Sequence, residues 1–207
     1  MSIAKKGFTL IELLVVIAIL AVLAVAVVLV LNPAELLKQS RDSTRLSDMA
    51  TLNSALSLYY TDVLGSNPSA WPGSGNYCTV AASTANGWGG WTTACGNVAT
   101  TTGVNGTNQT IGWIPINFSL ISSGSPLTKE PLDPNNGSAS CEGAGGVTNA
   151  LCGYAFIASS SAGVYKLEAL MESSKFGYGG SSDVTSKDSG VSTSTYEIGS
   201  NLTFVSY

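Results

Sequence analysis

Glu12 is the residue whose chemistry most needs an explanation, because it stands at the head of an apolar run. From Leu13 to Leu31 no side chain is polar, and about 19 residues suffice to cross the roughly 30 Å hydrocarbon core of a bilayer as a helix. A carboxylate well inside such a helix costs about 2.5–3.5 kcal/mol on insertion scales, and less near its end. Glu12 therefore calls for a cationic partner.

The chain's other reactive residues narrow the chemistry further. There is no histidine, which excludes Ser-His-Asp and Cys-His nucleophile systems and histidine-based zinc sites. Carboxylates, lysines and tyrosines are present, but no pair stands at a spacing that singles it out. The expectation is a protein that is not an enzyme and needs no cofactor. Cys78, Cys95, Cys141 and Cys152 show neither CxxC spacing nor a histidine partner. An even cysteine count beyond a membrane segment reads as disulfides in an oxidising, extracytoplasmic compartment. Three pairings are open. The favoured one joins Cys78 to Cys95 and Cys141 to Cys152, each closing a local Gly-rich loop; a loop near 15 residues is worth about 3 kcal/mol.

The elements around Glu12 set its context. An ordinary secretory signal passes directly from basic residues to a short apolar core and a small-residue cleavage site. Here Lys5-Lys6 is followed by Gly7-Phe8-Thr9-Leu10-Ile11-Glu12, and only then by the long run. This stretch resembles the class III signal of type IV pilins and pseudopilins. The resemblance implies that a prepilin peptidase cuts after Gly7, on the cytoplasmic side, and methylates the new amino group of Phe8. It also implies that Glu12 is the self-assembly residue. The Phe8 amine would lie one helical turn before Glu12, within reach in the same subunit. In a filament the carboxylate would meet the amine of a neighbouring subunit instead. Buried among apolar helices, each charge would need the other, and only the correct axial register would satisfy both. The competing reading is a helix-capping or interfacial Glu12 with no assembly role.

The run ends at Asn32-Pro33-Ala34-Glu35. Asn32 can cap a new helix, Pro33 suits its first position, and Glu35 sits where a capping-box acid belongs. Pro33 also removes a backbone donor, so the helix should break near residues 29–33 and restart. From Pro33 to Asp62 the pattern is amphipathic. Leu46, Met49, Asn53, Leu56 and Tyr60 recur at helical spacing, and Leu52, Ala55 and Tyr59 widen the stripe. With both halves, residues 8–62 would make a helix about 80 Å long. Arg41, Asp42, Arg45 and Asp48 are expected on a solvated face; pairing between subunits of a filament is the sharper alternative.

Residues 63–110 read as a connecting loop rich in turn residues. Trp71, Trp88 and Trp91 in it suggest packing over the helix, or else an adhesive surface. Beyond it, Ile111–Phe118 is a candidate strand, demoted at Pro115 to an edge or a bend. The clearest hairpin joins Gly153–Ala158 to Val164–Met171. In its second arm Tyr165, Leu167, Ala169 and Met171 alternate with Lys166, Glu168 and Leu170, implying one buried face. Tyr196–Ile198 and Leu202–Val205 are expected to form a final strand, after a Ser/Gly loop over 173–195. The segment from Pro131-Leu132-Asp133-Pro134 into Tyr154–Phe156 and Tyr165–Glu172 is similar to the sheet region of some pilins and major pseudopilins. Asp133, Asn135 and Glu142 offer oxygen ligands for calcium, as do Asp183 and Asp188 by analogy with pseudopilins, although the spacing matches no EF-hand and Asx turns explain the same residues.

These readings give an α+β, pilin-like fold: a long N-terminal helix packed by its C-terminal half against a small antiparallel sheet. The divisions are a leader (1–7), a transmembrane and polymerisation helix (8–32), an amphipathic helix (33–62) and a globular head (63–207), itself a loop to 110 and then the sheet. The resemblance implies a structural subunit, membrane-held as a precursor with its head outside and then part of an extracellular filament. Its partners would be copies of itself, the prepilin peptidase/methyltransferase, the assembly platform and minor pilins. Adhesion, motility and DNA uptake are the roles such a pilin serves; the alternative within the class is a major pseudopilin of a type II secretion system. A signal-anchored extracellular binding domain that never polymerises is the alternative of another class. The formal charge of −4 falls further once the leader lysines go, so nucleic acid is not indicated by charge.

Overall fold

The computed structural model describes residues 7–80, 95, 97–105, 111–138, 141, 151–159, 161 and 163–203, with the backbone alone for 29–31. The chain divides into two compact units, Met1–Leu37 and Lys38–Tyr207.

In the first unit, α1 runs over Leu10–Leu31. Its 22 residues span about 33 Å at 1.5 Å per residue, matching the apolar thickness of a bilayer. Apolar side chains stand exposed on all its sides, and Leu10–Val28 is long and apolar enough to cross a membrane. Asn32 ends α1 in the left-handed conformation (φ 39°), which asparagine tolerates better than most residues. The same Asn32 starts α2, Pro33–Tyr59. Its carbonyl accepts from the N–H groups of Glu35 (3.0 Å) and Leu36 (3.3 Å), and Pro33 fills the first helical position, where its missing donor is not needed. The break and restart at Asn32-Pro33 follow from this local chemistry.

In the second unit, Met49, Leu52, Ala55, Leu56 and Tyr59 form the buried face of α2. The helix widens into a π-type turn over Tyr60–Leu64, adding Val63 and Leu64 to the core. Against this face lies a five-stranded sheet of order β2-β1-β3-β4-β5. The strands are β1 (Gly75–Cys78), β2 (Asn97–Val98), β3 (Tyr154–Ala158), β4 (Tyr165–Leu170) and β5 (Thr195–Gly199). Only the β1–β2 pair is parallel; Phe156 faces Leu167 across β3–β4, and Leu167 faces Ile198 across β4–β5. Tyr154, Phe156, Ala158, Tyr165, Leu167 and Ala169 project from one face into the core shared with α2. The architecture is α+β, an apolar N-terminal helix, a long second helix and a mostly antiparallel sheet, consistent with a pilin-like layout.

Four expectations change. The segment Ile111–Phe118 is not a strand: it makes only isolated bridges, Thr102 with Gly112 and Asn105 with Asn117. Its apolar side chains Trp113, Ile114, Ile116 and Phe118 are core nonetheless, so their burial comes from an irregular segment. The last strand ends at Gly199; Leu202 and Thr203 lie beyond it, and 204–207 fall outside the described residues. Strands β1 and β2 arise from sequence that reads as loop. Finally, all of β4 is buried, so Lys166 and Glu168 do not face solvent.

Gly163 illustrates how the hairpin closes. Its φ of +79° is a left-handed value that an L side chain adopts at a cost of roughly 1–2 kcal/mol. A Cβ there would also strike the Tyr60 ring, but Tyr60 is half exposed and can swing aside. Gly163→Ala is therefore expected to lower stability by about 1–2 kcal/mol, read as a reduced midpoint in urea. An unchanged midpoint would mean that the turn does not need the left-handed residue.

Candidate functional site

The N-terminal motif is built on the first turn of α1. Gly7, Phe8 and Thr9 precede the helix in irregular, exposed backbone, and among the described residues nothing lies within 4 Å of a Cβ placed at Gly7. Thr9 is the N-cap. Its hydroxyl accepts from the Glu12 N–H at 3.3 Å, while Glu12 Oε2 accepts from the Thr9 N–H at 2.8 Å and the Thr9 hydroxyl at 2.7 Å. This reciprocal capping box satisfies two of the orphan donors at the helix start. The negative charge also sits at the positive end of the helix dipole. Thr9 is a participant the sequence reading overlooked, although Thr-x-x-Glu is itself the capping-box signature. The box holds the carboxylate at the helix head, on Thr9, the residue that follows Phe8.

The model of the prokaryotic N-terminal methylation motif matches residues 3–28. No curated protein and no solved structure matches the chain. The N-terminal segment therefore carries a prokaryotic N-terminal methylation motif, as the resemblance to pilin signals implies. With the apolar helix behind it, it fits a membrane-anchored, pilin-like precursor.

A second constellation lies in the head, on charges expected to be solvated. Asp42 and Arg45 are instead fully buried. The Arg45 guanidinium reaches Asp133 with Nε (2.6 Å) and Nη2 (2.8 Å), Asp42 with Nη1 (2.7 Å), and Glu172 with Nη2. Arg41, partly exposed, forks onto the same Glu172. Asp42 in turn accepts from the N–H groups of Glu172 (2.9 Å) and Ser173 (2.8 Å), tying the end of β4 to α2. Burial alone would lower Arg45 and raise Glu172. The charge-assisted bonds outweigh it, raising the Arg45 pKa further and holding Glu172 below its ordinary value. Beside them, Asp48 accepts from the Tyr154 hydroxyl at 2.7 Å, and burial raises its pKa in spite of that bond. These contacts lie within one chain, so the charges of α2 serve the head's own fold.

The Cys141–Cys152 disulfide caps this cluster. Cys141 Sγ is 3.4 Å from Arg45 Nη2, and Cys152 Sγ is 3.7 Å from Glu172 Oε1. The two sulfurs and Glu172 stand close enough to suggest a metal site, but sulfurs bonded to each other offer no thiolate ligand. The other disulfide joins Cys78 of β1 to Cys95, with α-carbons 6.0 Å apart.

Among the described residues, the calcium candidates Asp133, Asp183 and Asp188 are each held by hydrogen bonds within the chain. Arg45 occupies both oxygens of Asp133, and Asp133 Oδ1 also accepts from the Asn135 N–H at 2.8 Å in an Asx turn. Glu142 lies outside the described residues, as do Trp88 and Trp91. Asp183 accepts from the N–H groups of Gly179, Thr185 and Ser186 and from the two hydroxyls of Thr185 and Ser186. Its carboxylate thus organises the Ser/Gly loop, and those bonds hold its pKa far below the ordinary value against the effect of burial. Asp188 takes the N–H groups of Gly190 and Glu197. Trp71 packs edge-on against Phe156 and donates to the Ser159 carbonyl, so it covers the hairpin and is not presented to a ligand.

Proposed function

We propose that the chain is a pilin, a structural subunit of a type IV pilus-like filament with no catalytic role of its own. A prepilin peptidase removes residues 1–7 and methylates Phe8. The head lies outside the cytoplasmic membrane, and the mature chain leaves the bilayer to join other copies on an assembly platform with minor pilins. The filament serves surface adhesion, motility or DNA uptake.

The observation that carries this reading is the methylation motif over 3–28 joined to a helix whose apolar surface is exposed all round. A helix apolar on every side needs lipid or other helices around it. On extraction from the membrane, copies of α1 can bury that surface only against one another. Glu12 then enters an apolar bundle, and its counter-charge is the methylated amine of a neighbouring Phe8. The capping box supports the role by holding the carboxylate at the helix head before a neighbour arrives.

Material sheared from cells tests the proposal by mass and N-terminal fragmentation. The expected chain begins at N-methylated Phe8 and is recovered in filaments. Glu12→Ala should be processed yet fail to accumulate in filaments, because each neighbour's amine would be left buried and unpaired, at about 3–5 kcal/mol per contact. A chain retaining residues 1–7 and staying monomeric in detergent would sink the proposal and leave Glu12 as a helix cap.

A further inference from the structure

On the sheet face opposite α2, three charged side chains meet away from solvent. Lys166 and Glu168 are two apart on β4 and so share a face. Glu197 on β5 is the direct cross-strand partner of Glu168. Exposure is 3% for Lys166, 0% for Glu168 and 1% for Glu197. Lys166 Nζ donates to Glu197 Oε1 at 2.6 Å and forms an ion pair with Glu168 Oε1 at 2.7 Å. Glu197 Oε2 accepts from the Ser192 N–H at 2.8 Å. Among the described residues, neither oxygen of Glu168 has an aligned hydrogen-bond partner. Gly190 lies so close over Glu197 that a Cβ there would overlap Oε2, which lets the chain close down on the carboxyl and shut out water.

Such an arrangement is poorly explained as a salt bridge alone. Two carboxylates and one ammonium leave an uncompensated negative charge in a dry site, which is costly. Burial accordingly raises Glu168 well above the carboxylate range, although Lys166 pulls the other way. Burial thus favours the protonated form of Glu168. The cluster then consists of an amine donor, a carboxyl whose second oxygen is held by a backbone N–H, and a neutral acid beside the nitrogen.

We propose that Lys166 and Glu197 join in an intramolecular isopeptide bond between Nζ and Cδ, with Glu168 as the proton-transfer group. The ammonium of Lys166 first passes a proton to Glu197 Oε1, giving a neutral amine and a neutral acid. Nζ attacks Cδ, and the negative charge that develops on Oε2 is received by the Ser192 N–H. One oxygen of Glu168 takes the proton shed by nitrogen while its hydroxyl protonates the departing Oε1–H. One C–N bond forms, one C–O bond breaks, water leaves, and Glu168 ends as it began. No oxidant, metal or nucleotide is required. Fixed proximity supplies the drive: well-oriented intramolecular groups reach effective molarities of about 10⁵–10⁸ M. The product would tie the edge strand β5 covalently to β4.

Intact mass of the full chain with its disulfides reduced decides the matter. The expected value is one water below the mass of the same sequence, whatever its N-terminal processing, so the outcome is separable from the filament reading. Digestion should yield a branched peptide joining the segments that carry Lys166 and Glu197. Lys166→Arg and Glu168→Gln should each restore the full sequence mass, with circular dichroism reporting whether the sheet persists. If either variant fails to fold, the unsubstituted chain still gives the answer. A wild-type chain at full sequence mass, or a lost water mapped to another site, overturns the proposal.

Discussion

Arg45→Ala is expected to destabilise the head by about 3–5 kcal/mol at neutral pH. The substitution strands Asp42, Asp133 and Glu172, whose side chains are all inaccessible to solvent. Breaking a buried charge cluster from one side costs about 3–5 kcal/mol, a large part of the roughly 5–15 kcal/mol that holds a typical domain together. Arg41 cannot substitute, because it reaches only Glu172. Arg45→Lys restores the charge but not the planar fork that serves three carboxylates, so it should fall between the two. Urea titration of the full chain in detergent, followed by tryptophan fluorescence, gives the order wild type, Lys, Ala. Equal midpoints for all three would show that the cluster is energetically idle.

The same cluster sets an acid limit. Glu172 has an ordinary value of 4.5, and in the folded chain it lies lower. Its contribution is thus fully present above pH 4.5 and is lost as pH falls through the lower folded value. The wild type should accordingly lose stability below pH 4.5, in the window where Glu172 takes up its proton.

How far these sites could be read from sequence depends on the range of the interactions that make them. Asn32-Pro33 is legible because the cap, the restart and the missing donor are all local. The hairpin is legible in Tyr165, Leu167 and Ala169, whose alternation reports the core face. Arg45 is not read correctly from local rules, since its partners Asp133 and Glu172 are 88 and 127 residues away. A signal was nonetheless present: Asp42, Arg45, Met49, Leu52, Leu56 and Tyr59 follow one another at intervals of three and four, so the charges continue the buried stripe. Lys166 and Glu168 mislead for a related reason. Alternation identifies two faces but cannot say that 188–195 folds back over the second one. In Trp113–Phe118, burial without regular structure leaves no period to find.

Glu130→Gln is expected to stabilise the head progressively as pH rises from 4.5 to 8. Glu130 is fully buried beside the irregular segment that carries Trp113 and Ile114. Its Oε2 accepts from the Ile114 N–H at 3.0 Å, while Oε1 has no hydrogen-bond partner among the described residues. Gly112 is pressed so close that a Cβ would meet that oxygen. Burial pushes the carboxyl up to about 8 from an ordinary 4.5, with the backbone hydrogen bonds only partly opposing it. Between these two values the unfolded chain has released the proton and the folded chain keeps it, so the unfolded state gains as pH rises. The contribution of Glu130 is whole below pH 4.5 and has fallen by on the order of 4 kcal/mol at pH 8. Glutamine keeps an acceptor for Ile114 and has no proton to lose, so it escapes this decline. Any fixed cost of burying its amide is the same at every pH, which makes the slope the diagnostic quantity. Thermal unfolding at pH 4, 6 and 8 should show the variant's Tm gaining on the wild type by roughly 2–4 °C for each kcal/mol recovered. A constant difference across that range would mean that Glu130 ionises in the folded head as freely as in the unfolded chain.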